Sequence, residues 1–418
     1  MTPPRLSVVS GAVLVVFAGI LAIGSVLGPS VRDASAQIQA AAAAAPDQPR
    51  ETGLLGEIDA VAITEVLELR AAAVLAGDKA AHQATIAVAA TDRFREIEGR
   101  TIDGAAAIGF DSFSESIDLP AIDLAPPGLA GPDGERVVVL SVTRRLQFTR
   151  VDVWPTAATL YLSFIDTSDG WRVLGDDDLA VIGLASGRSL WELRSSNVLH
   201  TARVVAIGTA GIERLDQVAG LTETAIDRFE ANWGQPWQGS VVVIVPDGLA
   251  EVEELLRPTG DASRFVAFTT LDIDRSAGWE VVSPRIVTQE SNMARRSVER
   301  QIEVLVHELA HVASVRASGP ATPLWFHEGL ADWITAGRPA VTDEEVEFPD
   351  LYLFRTGSVS EISAVYDQAE RTMAQLAGQF GAAVPWQLFV EVGGARSEPG
   401  SSDYLVAKAI ETITGSAP

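Results

Sequence analysis

The sequence predicts an α+β protein, and three observations predict it. The run Leu6 to Gly28 holds 23 residues without a charge. Between residues 53 and 191, helical spacing of apolar residues gives way to apolar–polar alternation, so helices precede antiparallel strands. From about Arg194, short valine-rich runs are followed by long helical segments, which suits a small sheet packed under helices. A chain of 418 residues with 47% hydrophobic content can bury about two domain cores beyond a targeting segment. The expected organisation is a signal-anchor or transmembrane segment over 1–36, a linker over 37–52, an α+β domain over 53–191 and a second domain over 194–418.

As a helix, Leu6 to Gly28 would extend about 34 Å, enough for a hydrocarbon core of roughly 30 Å. Arg5 precedes it, and the positive-inside tendency then places the bulk of the chain outside the cytoplasm. The expectation is a single-pass cell-membrane protein, or a secreted one if Ala34-Ser35-Ala36 is cleaved. Gln37 to Glu51 is alanine-rich, with Pro46 and Pro49, and reads as a tether. The net charge of -25 excludes nucleic acid as a partner and a polybasic contact with anionic lipid. The chain has no cysteine, so disulfides, thiolate metal sites and cysteine nucleophiles are excluded.

In the first region, Ile63 to Ala89 reads as helix broken at Gly77-Asp78, and Pro126 to Gly134 as a loop. Leu140 to Phe148 mostly alternates, as a strand does. Ala158 to Asp166 and Trp171 to Leu174 flank a hairpin turn at Thr167-Ser168-Asp169-Gly170. The pattern resembles the cystatin-like/NTF2-like cone, including the Ala76-Gly77-Asp78 break between early helices. Such folds host small enzymes or inert modules. No paired acid and base stand out here, so the region reads as a spacer. His82 is expected on a helix surface. Asp176-Asp177-Asp178 is expected to be a solvated turn, with calcium binding the weaker alternative.

In the second region, Val198 to Ile207, Val241 to Val245, Phe265 to Leu271 and Trp279 to Thr288 read as strands. Ile212 to Trp233 and Ala250 to Leu256 read as helices. A helix starting near Ser291-Asn292 and ending near Ser318-Gly319-Pro320 carries His307-Glu308-Leu309-Ala310-His311. With five histidines in the chain, chance placement gives His-Glu-x-x-His with a probability on the order of one in a few hundred. Residues four apart share a helix face, so His307 and His311 can direct two imidazoles at one Zn2+ ion. Glu308, about 100° around the helix, can hold a water beside the ion as general base. Further helices are expected over Ser360 to Phe380, Pro385 to Val392 and Asp403 to Thr414, with an acidic loop over Thr342 to Asp350.

Downstream lies Trp325-Phe326-His327-Glu328-Gly329-Leu330-Ala331-Asp332. Together with His-Glu-x-x-His, this segment resembles the gluzincin metallopeptidases, the thermolysin and aminopeptidase superfamily. The resemblance implies Glu328 as third zinc ligand and Asp332 as a carboxylate holding a ligating imidazole, the alternative for Asp332 being an exposed helical acid. His327 is a rival ligand, but helical neighbours diverge by about 100° and cannot both reach one ion. It is otherwise a cleft, outer-shell or helix-surface residue. Tyr366, in Tyr366-Asp367-Gln368-Ala369, stands where the family has an oxyanion-binding tyrosine, or is a core residue.

The family's sheet edge pairs with the substrate backbone. Pro284-Arg285-Ile286-Val287 is the candidate edge, since proline is tolerated there; the alternative is an ordinary covered edge strand. The implied function is a membrane-anchored extracytoplasmic zinc metallopeptidase acting on a peptide or protein substrate. The alternative is a catalytically inactive peptidase-fold binding or scaffold protein at the cell surface. The G-x-S-x-G, P-loop and G-x-G-x-x-G patterns of other enzyme classes are absent.

Overall fold

The computed structural model describes residues 53–255, 262–270, 273–274, 280–281, 283–319, 322–342, 346–349, 359–394 and 402–415. The apolar run Leu6 to Gly28, the Ala34-Ser35-Ala36 site and the linker lie outside the described residues. No helix among the described residues is long and apolar enough to cross a membrane.

The chain is α+β. Helix α1 (Glu57–Ala76) ends at Gly77, whose φ of 65° is the left-handed conformation that glycine adopts without a Cβ penalty. Asp78 then caps α2 (Lys79–Ala84) through the Ala81 N–H at 2.9 Å. Thr91 caps α3 (Asp92–Ile108) in the same way. A four-stranded antiparallel meander follows in sequence order: β1 (Phe110–Ile117), β2 (Val137–Phe148), β3 (Thr156–Thr167) and β4 (Gly170–Gly175). The expected hairpin is present, with Thr167 opposite Gly170.

A short helix α4 (Leu190–Leu193) leads to a hairpin of β5 (Asn197–His200) and β6 (Val204–Gly208), so the single strand expected over Val198 to Ile207 is two. Then come α5 (Ile212–Trp233), β7 (Val241–Ile244), α6 (Leu249–Leu255) and β8 (Ala267–Thr270). The small pair β9 (Ile273–Asp274) and β10 (Glu280–Val281) precedes β11 (Arg285–Thr288), dividing the strand expected over Trp279 to Thr288. The sheet order is β5-β6-β7-β11-β8, with β8 antiparallel to β11.

This order corrects the expected edge strand. Pro284-Arg285-Ile286-Val287 leads into β11, which is paired on both sides, and β8 is outermost. Pro284 directly precedes the strand, so its missing N–H removes no ladder bond there.

The sheet is buried on both faces. Val204, Ala206, Val241, Val243, Ala267 and Ile286 face the helices. Val205, Ile207, Val242, Phe268 and Val287 pack on Ile102, Phe113, Phe148 and Trp191 of the N-terminal region. This split of alternate residues explains why β6 and β7 are apolar without a break. The N-terminal region therefore shares a core with the second region. Asp152 adds a paired contact to Arg285 at 2.7 and 2.6 Å, and that guanidinium lies over Phe148.

The helical side begins with α7 (Glu290–Met293), which contains Ser291 and Asn292. The histidine-bearing helix is α8 (Val298–Ser314), which starts later than expected, at its cap Ser297. It is followed by α9 (Leu324–Thr335), α10 (Val359–Phe380), α11 (Val384–Gly394) and α12 (Ser402–Thr414).

The N-terminal region holds a feature the sequence reading missed. Six buried side chains from six segments close a ring of alternating charge: Arg70, Glu98, Arg188, Glu192, Arg144 and Glu115, returning to Arg70. Each carboxylate meets two guanidiniums. His82 is also buried, with Nε2 3.2 Å from Glu98 Oε2, which corrects its expected surface position: α2 turns that face inward against α3. The aspartate turn is not simply solvated either. Asp176 pairs with Arg188 at 2.8 Å, and Asp178 accepts a hydrogen bond from Ser163.

Burial alone would raise the carboxyls of Glu98, Glu115 and Glu192, but the arginines outweigh it and hold all three below the ordinary value of 4.5. Their contribution to stability is then complete above the ordinary range and is lost as pH falls through the lowered folded values. Removing one member leaves buried charge uncompensated, which costs about 3–5 kcal/mol. Glu98→Gln is therefore expected to lower the unfolding free energy by that amount in chemical denaturation at neutral pH. The gap to wild type should stay level down to about pH 5 and narrow in more acid solution.

Candidate metal centre

The site lies where α8 and α9 meet beneath β8. Helix α8 is buried along most of its length, so its histidines are directed into protein. In α9, Gly329 allows a close approach of α10: a Cβ there would sit 2.6 Å from the carbonyl oxygen of Ala369. That contact brings Tyr366 of α10 to the residue preceding Gly329, which is Glu328.

His307, His311 and Glu328 converge. The two Nε2 atoms are 3.1 Å apart, and Glu328 Oε2 lies 3.4 Å from His307 Nε2 and 3.7 Å from His311 Nε2. Ligands about 2.0–2.1 Å from a tetrahedral ion stand about 3.3–3.4 Å from one another. The three atoms thus form the triangle that one face of such an ion requires. Among the described residues this is the group of His, Asp and Glu able to hold a metal ion, and the Asp176 turn is not.

The remaining polar atoms fit the same reading. His307 Nδ1 is 2.8 Å from Asp332 Oδ1, so its N–H donates there and Nε2 presents its lone pair to the centre. Asp332 is therefore an imidazole-holding carboxylate rather than a fully exposed acid. Glu328 is fully buried, and the groups that face its carboxylate are the two imidazoles and the Tyr366 hydroxyl. Burial would raise its carboxyl, but His311 and His307 outweigh that and hold it low. Burial would likewise push His307 down, yet Asp332 and Glu328 hold it well above its usual value. The pocket therefore calls for positive charge. A divalent cation supplies it and satisfies the Glu328 carboxylate and both imidazoles together. The chemistry of the donor set, two nitrogens and one oxygen, fits Zn2+.

Glu308 is fully buried. Its Oε2 accepts a hydrogen bond from Thr269 of β8 at 2.7 Å, and its Oε1 has no partner among the described residues. Burial, with Glu328 as a smaller contributor, pushes its carboxyl up against the pull of His311, His307 and Thr269. Tyr366 is buried beside this group. Burial first, then the charges of Glu328, Asp332 and Glu308, pushes its hydroxyl well above the usual value and keeps it protonated.

His327 is not a member of the cluster. It is buried with its ring edge-on to Phe389, which removes the helix-surface option, and burial, assisted by His311, lowers its pKa to about 3. Sequence reasoning missed Thr269. Nothing in its local pattern marks it, since its partner is 39 residues away.

Comparison with family models, curated proteins and solved structures finds no match to this chain.

The geometry leads to a binding prediction. Metal analysis of the purified chain should find one zinc per chain, and Glu328→Ala should remove it. Asp332→Asn should keep the fold and weaken zinc affinity by about 10–100-fold, the usual cost of losing the partner of a ligating histidine.

Proposed function

We propose that this chain is a zinc-dependent metallopeptidase of the gluzincin kind, anchored by Leu6 to Gly28 and acting outside the cytoplasm on a peptide or protein substrate. The supporting observation is the triangle of His307, His311 and Glu328 with Glu308 alongside, a fully buried carboxylate with one unengaged oxygen. The N-terminal region, by its helices and four-stranded antiparallel sheet, is read as an NTF2-like module. Its interior holds the ionic ring beside an apolar core, which supports a structural role for it.

Zn2+, when bound, supplies a Lewis acid that activates water and polarises a carbonyl. The other roles fall to side chains. Asp332 fixes the tautomer and orientation of His307. Glu308 Oε1 accepts the proton of the attacking water and passes it to the leaving amine, a task suited to a carboxyl raised by burial. The protonated Tyr366 hydroxyl donates to the substrate carbonyl oxygen as negative charge develops on it. Strand β8, outermost in its sheet, takes the place earlier expected of Pro284–Val287 as the partner of an extended peptide backbone.

The competing reading, an inactive peptidase-fold binding or scaffold protein, draws on the complete burial of Glu308. One experiment separates the two. Wild type and Glu308→Gln are loaded with zinc and assayed on a mixed peptide library. The peptidase reading expects hydrolysis by wild type and a loss of about 10²–10⁴-fold in the variant with zinc retained. Zinc-loaded wild type that cleaves nothing would favour the scaffold.

A further inference from the structure

We infer that Thr269 is the positioning residue of this site, holding the Glu308 carboxylate so that Oε1 alone is presented to the metal centre. The inference deepens the peptidase reading and rests on it. It starts from the strand. In β8, alternate residues face opposite sides of the sheet. Phe268 packs toward the N-terminal region, and Ala267 toward the helices. Thr269, two residues on from Ala267, therefore projects onto α8. There it is 4% exposed, with Oγ1 2.7 Å from Glu308 Oε2 and 3.3 Å from the Glu308 carbonyl oxygen. The hydroxyl has one proton, and the shorter contact, to a carboxylate, takes it.

A glutamate side chain has three rotatable bonds, and a hydrogen bond to one of its oxygens selects among the orientations they allow. Threonine is suited to choose, because its β-branch restricts χ1. The strand beneath it is held as well. Thr269 lies opposite Ile286 of β11, and the neighbouring Arg285 is clamped by Asp152 from the N-terminal region. The two oxygens of Glu308 thereby divide their work. Oε2 is spent on the hydroxyl, and Oε1, without a partner among the described residues, is left for proton transfer. Thr269 belongs to β8, the edge strand proposed to pair with an extended peptide backbone, so the base is held from that same strand.

The test compares Thr269→Val, which keeps the shape and removes the donor, with Thr269→Ser, which keeps the donor. Zinc content, kcat and KM are measured, and zinc-loaded wild type and Thr269→Val are crystallised. The valine variant is expected to keep one zinc and a KM within about twofold while kcat falls about 10–100-fold, the scale of a misplaced reacting group. Serine should restore kcat to within about threefold. The crystal structure of the valine variant should show the Glu308 carboxylate turned or divided between orientations. Unchanged kcat with valine would overturn the inference, as would serine failing as badly as valine, or Glu308 superimposing on wild type. If wild type cleaves nothing, the peptidase reading fails on its own, and the two crystal structures still decide whether Thr269 orients Glu308.

Discussion

A fully buried carboxylate facing two imidazole nitrogens is the constraint from which the rest of the molecule follows. Glu328 is fully buried, and what faces it is two imidazoles and a tyrosine hydroxyl, none of which brings a fixed positive charge. Leaving a charge in that condition is unfavourable by several kcal/mol unless an opposite charge is supplied (about 1–3 kcal/mol even for a neutral group). Two histidines at 3.4 and 3.7 Å cannot both be cations 3.1 Å apart without repelling one another. A single divalent ion removes the conflict. Helices α8 and α9 are built to maintain this arrangement, and Gly329 allows α10 to close over it with Tyr366.

Holding three ligands to a fraction of an ångström needs a rigid base, and the sheet supplies it. Its central strands β6 and β7 are apolar on both faces because helices cover one and the N-terminal region covers the other. The N-terminal region is in turn made rigid by the Arg70–Glu98–Arg188–Glu192–Arg144–Glu115 ring. Buried ion pairs add little net stability over apolar packing, but breaking one is severe. Such a ring therefore specifies how α1, α3, α4, β1 and β2 sit more than it strengthens them. Asp152 carries that order across to Arg285, which lies beside β8, the strand whose Thr269 holds Glu308.

How far this was legible in the sequence depends on distance along the chain. The pair His307 and His311 is visible because one helical turn fixes both. Glu328 and Asp332 were singled out by resemblance, on a second segment whose pattern is local. Tyr366 was placed only by resemblance, and it does sit beside Glu328. The long-range features were not legible. The ring joins residues as far apart as Glu98 and Arg188, and neither local period nor motif relates them. His82 was misplaced, and the partners of Asp176 and Asp178 in the aspartate turn were missed, for the same reason: those partners come from other elements. The edge strand was misassigned because Pro284 looks like an edge marker, whereas it stands just before an interior strand.

The central claim is that two imidazoles and one carboxylate from α8 and α9 enclose a single zinc ion. X-ray absorption at the zinc edge, on the purified chain, tests it most directly. The account predicts a first shell of two imidazole nitrogens and light oxygen ligands at about 2.0–2.2 Å, with the outer scattering of histidine rings. A chain that binds no zinc after loading, or a shell made of oxygen alone without imidazole scattering, would contradict it.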